Sequence, residues 1–410
     1  MAVPRRTSRD IRSESRLDVL HAVLSAGETT RNEITRSTGL SPATVATVVG
    51  ELISEGIVAE TKLTAGRVGR PTATLVMNAA RGRVVGIDVA ETYVRAVMFD
   101  AALNQVASAE EPRDEHDLDP ASVVESIGRV LDNVLAEGGV TRDAVLGVGV
   151  ALPGLVQGAS GVSVVVPHWT WHKVDLERLR ERVGLPLSID NPLKVIATAE
   201  LWLGRGRYFS SMVTINLGTG VGAGIVLEGR ILRGATNSAG EWGHSLLVLD
   251  GRECRCGRHG CVEAYVGAPG IQQTLREIEP DHPLADLALQ RDFILSMAEA
   301  ADGPEPDPAV QETIARTARY LGSALADLVA VINPELVTLT GWTTWALGEH
   351  LLAAARERLV EQAPGRSAHD LRLEVSTVRG NSVATGVAII ALERFLSDAG
   401  LLTSRVPIAL

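Results

Sequence analysis

The first eighty residues carry apolar positions at helical spacing. Leu17, Leu20, Val23 and Leu24 fall on one stripe, which predicts an amphipathic helix over 14–27. Thr30 followed by Glu33 is a capping-box pair that opens a short helix, and Gly39 closes it. Ser41 then stands as an N-cap with Pro42 in the first turn, and the helical pattern runs on to Gly56. IVAETK and TATLVMN read as two strands joined by the loop LTAGRVGRP. From residue 84 the texture changes. VVGIDVAETYVRAVMFD reads strand, turn, strand, and SMVTINLGTGVGAGIVLEGR repeats that reading about 125 residues later. Alternating helical and apolar segments follow each, so two related α/β lobes are expected. ALERFL predicts a helix near the C-terminus, and ADGPEPDPAV (300–309) a solvated acidic loop between helices.

Two helices joined by a tight turn at Gly39, the second starting with small polar residues, make a helix-turn-helix. Ser41, Ala43, Thr44 and Thr47 are the candidate groove contacts. The hairpin after them reads as a wing with Arg67 and Arg70 at its tip, where Gly66 and Gly69 permit close approach to a phosphate backbone. The plainer alternative is a small helical subdomain with a solvated hairpin. Net charge bears on the choice. The chain of 410 residues carries −11 overall, yet its first eighty residues are slightly basic and the rest strongly acidic. An acidic body repels nucleic acid, so DNA contact belongs to the first segment. At this length two or three domains are expected, and 45% hydrophobic with 22% charged residues is an ordinary globular composition. No apolar run is long enough to span a bilayer, and the basic start has no apolar stretch behind it. A cytoplasmic protein with no membrane partner is expected.

The three cysteines of the chain lie within eight residues, which argues against a disulfide scaffold. HSLLVLDGRECRCGRHGC places His244, Cys254, Cys256 and Cys261 at H-x9-C-x-C-x4-C. Three thiolates and an imidazole suit a closed, tetrahedral, structural Zn2+ site with no open position for a catalytic water. His259 competes with His244 by position, and three free buried thiols are the alternative to a metal.

The block EWGH…CRCGRHGCVE resembles the signature of the ROK family (repressors, open reading frames, sugar kinases), an E-x-G-H motif followed by C-x-C-G-x-x-G-C-x-E. The wing Gly66, Arg67, Val68, Gly69, Arg70, Pro71 is similar to that of the family's regulators, of the xylose- or N-acetylglucosamine-repressor type. The resemblance spans nearly the whole chain. It implies an α/β, two-lobed actin/hexokinase-like (ribonuclease H-like) domain behind an N-terminal winged helix-turn-helix. The boundaries expected are 1–80 for the DNA-binding domain, 81–200 for the first lobe and 201–410 for the second, with the C-terminal helix returning to the first. It implies zinc on His244, Cys254, Cys256 and Cys261. It also implies sugar hydroxyl contacts from Glu241, His244 and Glu263, from Asn191, from Gly154 in a Leu152–Pro153–Gly154 loop, and from His168 in the Pro167–Trp171 segment. A metal-bound His244 would leave its other nitrogen for a hydroxyl. Solvated surface carboxylates and a satisfied core histidine are the alternatives for Glu241, Glu263 and His168.

Phosphoryl transfer needs a base for the attacking hydroxyl and room for phosphates. In the ROK kinases an Asn-Asp pair precedes an alanine-rich helix. Counting back from Glu200, the Asn position is Asn191 and the Asp position is Pro192, which has no proton acceptor. Asp190 stands two residues away. The first phosphate loop, D-x-G-G-T in the kinases, is here Asp88, Val89, Ala90, Glu91, Thr92. A carboxylate about 4 Å from a phosphate costs on the order of a few kcal/mol. The glycine turn Gly218–Gly224 is intact, whereas the late nucleotide turn has become Leu339, Thr340, Gly341, Trp342. No catalytic residues and no bound ATP are expected. The reading is a regulator, a repressor by preference, that binds operator DNA and a sugar or sugar phosphate as a homodimer or homotetramer. An active sugar kinase using Asp190, and a ligand-independent DNA-binding scaffold, are the rivals.

Overall fold

The computed structural model describes residues 8–64, 72–114, 119–157, 163–166, 169–171, 173–378 and 380–402. It divides into two compact units, 1–203 with 383–410, and 204–382.

The first unit opens with α1 (Ser8–Ala26), α2 (Arg31–Thr38) and α3 (Pro42–Ser54), followed by the antiparallel hairpin β1 (Val58–Thr64) and β2 (Thr72–Met77). The local chemistry decides these ends. Thr30 accepts from the Glu33 N–H while Glu33 Oε2 accepts from the Thr30 N–H at 2.8 Å, the reciprocal cap. Gly39 closes α2 at φ +70°, and Ser41 caps α3 with Pro42 behind it. The first helix begins earlier than its apolar stripe requires. The third ends at Ser54, two residues short of Gly56, which takes φ +69°.

A five-stranded sheet follows, ordered β10-β6-β3-β4-β5, from β3 (Arg83–Val89), β4 (Tyr93–Asp100), β5 (Gln105–Pro112), β6 (Val145–Ala151) and β10 (Leu187–Asp190). Helices α4 (Pro120–Glu137) and α5 (Lys173–Val183) make the parallel crossovers, and β7 (Leu155–Gln157), β8 (Ser163–Val166) and β9 (Trp169–Trp171) form a small antiparallel sheet between them. Helix α6 (Pro192–Trp202) leaves the last strand of the large sheet. The C-terminal helix α12 (Ser382–Asp398) packs on that sheet. A Cβ on Gly86 would come 1.8 Å from the Ala384 carbonyl oxygen, and one on Gly149 2.1 Å from that of Val387. Strand glycines are needed here because helix backbone lies directly against strand backbone.

The second unit repeats the plan. Its sheet is ordered β13-β12-β11-β14-β15, from β11 (Met212–Leu217), β12 (Val221–Leu227), β13 (Arg230–Ile231), β14 (Leu336–Thr340) and β15 (Arg372–Val375). In both units the first strand is antiparallel to the second and parallel to the fourth. The long crossover holds α7 (Glu263–Val266), α8 (Ala268–Ile278), α9 (Gln290–Asp302) and α10 (Pro308–Ile332), and α11 (Trp342–Gln362) makes the second crossover. The acidic loop is shorter than its sequence suggests, because α9 runs to Asp302 and Asp307 caps α10. Among the described residues no helix is long and apolar enough to cross a membrane.

Candidate functional site

The helix-turn-helix presents a specific face. Val45, Val48, Val49 and Leu52 of α3 are buried in the head, whereas Ser41, Ala43, Ala46, Thr47 and Gly50 are exposed. Ala43, Ala46, Thr47 and Gly50 stand at i, i+3, i+4 and i+7, one stripe of small residues. Ser41 and Thr44 bond one another at 2.8 Å and build the cap, and Thr47 bonds the Ala43 carbonyl, so their hydroxyls are first of all helix groups. Ala46 and Gly50 complete the stripe and escaped the sequence reading, although helical spacing from Ala43 points to them. Arg67 and Arg70, with Gly66 and Gly69, lie outside the described residues.

The cysteine loop folds back on a single helical turn, Trp242–His244. Gly243 makes that possible, since a Cβ there would lie 2.0 Å from the Val221 carbonyl oxygen of β12. Gly260, at φ +77°, passes equally close to the Val248 carbonyl. The ligand atoms of His244, Cys254, Cys256 and Cys261 all lie within 4.8 Å of one another. Cys256 Sγ is 3.7 Å from Cys261 Sγ, and Cys254 Sγ is 3.8 Å from His244 Nδ1. Bonds of about 2.3 Å to sulfur and 2.0 Å to nitrogen in a tetrahedron separate such atoms by about 3.5–3.8 Å, and these two pairs stand close to that spacing. A disulfide would need sulfurs about 2 Å apart. His259 is exposed and outside this cluster. Burial pushes the Cys254 thiol up to about 12. Partial burial also raises Cys256, but bonds from the Arg258 backbone and side chain and from the two neighbouring thiols outweigh it and bring it to about 6. A bound cation would stabilise all three thiolates.

Glu263 opens α7 beside this cluster. One carboxylate oxygen accepts from the Val221 N–H at 2.9 Å, and the other lies 3.7 Å from Cys254 Sγ. It is buried, so the surface-pair alternative fails for it. The same carboxylate therefore anchors the glycine turn between β11 and β12. Only Gly218–Gly220 is turn; Gly222 and Gly224 belong to β12. Glu241 immediately precedes the Trp242–His244 turn and is half-buried. The late turn contributes an aromatic lid. Gly341 takes φ +94°, and a Cβ on Gly218 would lie 2.9 Å from Trp342 Nε1.

In the first unit, Asn191 caps α6 by accepting from the Leu193 N–H, and its Nδ2 donates to the Gly154 carbonyl oxygen. The structure thus brings Gly154 and Asn191 together, with Gly154 at φ +93°. Pro192 is the first residue of α6. Asp190 is 1% exposed, and its Oδ1 accepts from the Asn191 N–H at 2.8 Å. Asp88 accepts from the Tyr93 hydroxyl at 2.9 Å; burial, and then that charge, hold the phenol protonated well above its ordinary range. His168 lies outside the described residues.

A duplicated two-lobed α/β domain fused to a winged helix-turn-helix is the architecture these parts define. The ROK family model matches residues 84–394, and a winged helix-turn-helix DNA-binding model matches 12–59. The chain belongs to the ROK family. It is 26% identical to a putative xylose repressor of Caldicellulosiruptor sp. (strain Rt8B.4) over 94% of this chain and 97% of that one. It is 30% identical to a glucokinase of Halalkalibacterium halodurans over 74% of this chain and 92% of that one. A solved ROK family transcriptional regulator, a homologue of the E. coli Mlc protein, superposes with a TM-score of 0.73 at 24% identity, covering 96% of this chain and 99% of that one.

Proposed function

We propose that this protein is a sugar-responsive transcriptional repressor without phosphotransfer activity. The observation that carries the reading is the union in one chain of a DNA-reading head with a sugar-kinase fold whose base position is Pro192, the first residue of α6. Two further contacts point the same way. Asp190 is buried against its own backbone neighbour, and the Trp342 indole lies over the glycine turn where phosphates would need room.

The exposed stripe Ala43–Ala46–Thr47–Gly50, with Ser41 and Thr44 at the helix start, enters the major groove. Arg67 and Arg70 of the wing hold the phosphate backbone. The metal is a structural zinc that ties the loop between His244 and Cys261 to β12. With Nδ1 on the zinc side, His244 leaves Nε2 for a sugar hydroxyl, and Glu241 and Glu263 accept from others. Gly154, Asn191 and His168 supply further hydroxyl contacts. Sugar occupancy favours one conformation and so changes operator affinity in a homodimer or homotetramer. The similarity to a glucokinase and the intact Gly218–Gly220 turn favour one rival, an active kinase.

Purified protein would be used to select fragments of its source genome, then titrated with D-xylose and D-glucose in the binding assay and in calorimetry, and incubated with ATP and each sugar. Discrete fragments released by one sugar without turnover support the repressor. Phosphorylation at an ordinary kinase rate, abolished by Asp190→Ala, overturns it.

A further inference from the structure

The DNA-reading head is seated on two helices of the first unit through specific contacts. His21 of α1 meets the indole of Trp202 edge to face, with centroids 4.5 Å apart. Trp202, the last residue of α6, is 2% exposed and donates from Nε1 to Glu393 Oε1 of α12 at 2.9 Å. Arg16 of α1 donates to the carbonyl oxygens of Gly400 and Leu401 at 3.0 and 2.8 Å, just beyond α12, while its other nitrogens hold Glu51 of α3. Val19, Leu20 and Val23 share one core with Trp202, Ala388, Leu392 and Leu396. Helix α6 is itself locked to α12, since a Cβ on Gly386 would lie 1.8 Å from the Val195 carbonyl oxygen. Its other end is Asn191, which holds Gly154.

We propose that α6 is a strut joining the Gly154–Asn191 corner to the DNA-reading head, and that Trp202 is the positioning residue at its head end. The strut is one hydrogen-bonded rod about 16 Å long. Packed backbone against backbone, it moves as a body, so displacement of Gly154 is felt by α1 through the Trp202 indole. Its use in regulation rests on the reading above that Gly154 and Asn191 belong to the sugar site.

The test is amide hydrogen exchange on the full chain without sugar, comparing wild type, Asn191→Ala and Asn191→Asp, each with and without Trp202→Phe. Asn191→Ala removes both the cap and the bond to Gly154. Asn191→Asp keeps the cap acceptor and sets a carboxylate oxygen against the Gly154 carbonyl in place of that bond, so it serves if the alanine variant does not fold. Asn191→Ala should speed exchange in α6 and in α1 about fivefold. Asn191→Asp should also speed exchange in the same two helices. In the Trp202→Phe background the rise should persist in α6 and vanish from α1. Loosening of α6 with α1 unchanged, an α1 increment independent of Trp202, or no change in α6 would each overturn the proposal. No sugar enters this experiment, so its failure leaves the sugar reading to calorimetry, and a failure there leaves the exchange result standing.

Discussion

Removing the metal is the most direct perturbation of the second unit. His244 and Cys261 bound a loop of about eighteen residues, and closing such a loop is worth about 3 kcal/mol in the chain-entropy description. The loop has other fastening to which the cross-link adds: Arg252 donates to the Ala264 and Gly270 carbonyls at 3.1 and 2.9 Å and to Thr274 and Glu277. The loop backbone is pinned by bonds such as Leu247 N–H to the Gly260 carbonyl, while Leu246 and Leu249 stay exposed. The unit spans 204–382, and for a domain of that size 1 kcal/mol moves the melting temperature by about 2–4 °C. Loss of the ion should therefore lower the transition by roughly 6–12 °C. The assay is calorimetry on protein stripped with a chelator and on protein reloaded with Zn2+, with metal content read by mass spectrometry. Binding of about one zinc per chain should accompany the recovery. A metal-free protein that melts where the loaded one does would overturn the structural role of the ion, because the four donors would then be holding nothing the fold needs.

Gly243→Ala should cost more than about 2 kcal/mol and lower metal content, since the new methyl meets the Val221 carbonyl and displaces His244; an unchanged zinc stoichiometry would count against this geometry. Ala46→Glu should leave the melting temperature nearly unchanged and weaken DNA binding at least about tenfold by placing a carboxylate on the α3 stripe, measured by fluorescence anisotropy on a selected fragment. Glu33 is held below the ordinary carboxylate range by the Thr30 side chain first and its N–H next. A depressed folded value stabilises the head above the unfolded pKa of about 4.3 and is lost as the pH falls through the folded value, so Glu33→Ala should cost no more than about 1 kcal/mol at pH 7 and nothing at strongly acid pH. Trp342→Gly should open the glycine turn yet yield no ATP turnover with D-glucose, because Pro192 still supplies no base; turnover in that variant would show the indole to be the sole block.

What the sequence determined is local. Thr30 with Glu33, Gly39, and Ser41 with Pro42 bound α2 and the start of α3 because capping uses residues three apart or fewer. The repeated strand–turn–strand pattern announced two like sheets, since short, near-continuous apolar runs broken by turn residues are written directly in the chain. The cysteine spacing marked a metal cluster. The E-x-G-H resemblance already pointed to His244 rather than His259, and tertiary structure supplies the physical reason, the Gly243 and Gly260 crossings that turn it toward the thiols. Tertiary structure alone set Glu263 on the Val221 N–H, Asn191 on the Gly154 carbonyl, the Trp342 indole over Gly218, and Trp202 between His21 and Glu393. Each of these joins segments far apart in the chain, and packing against a sheet decides such partners where no periodicity along one strand or helix can encode them.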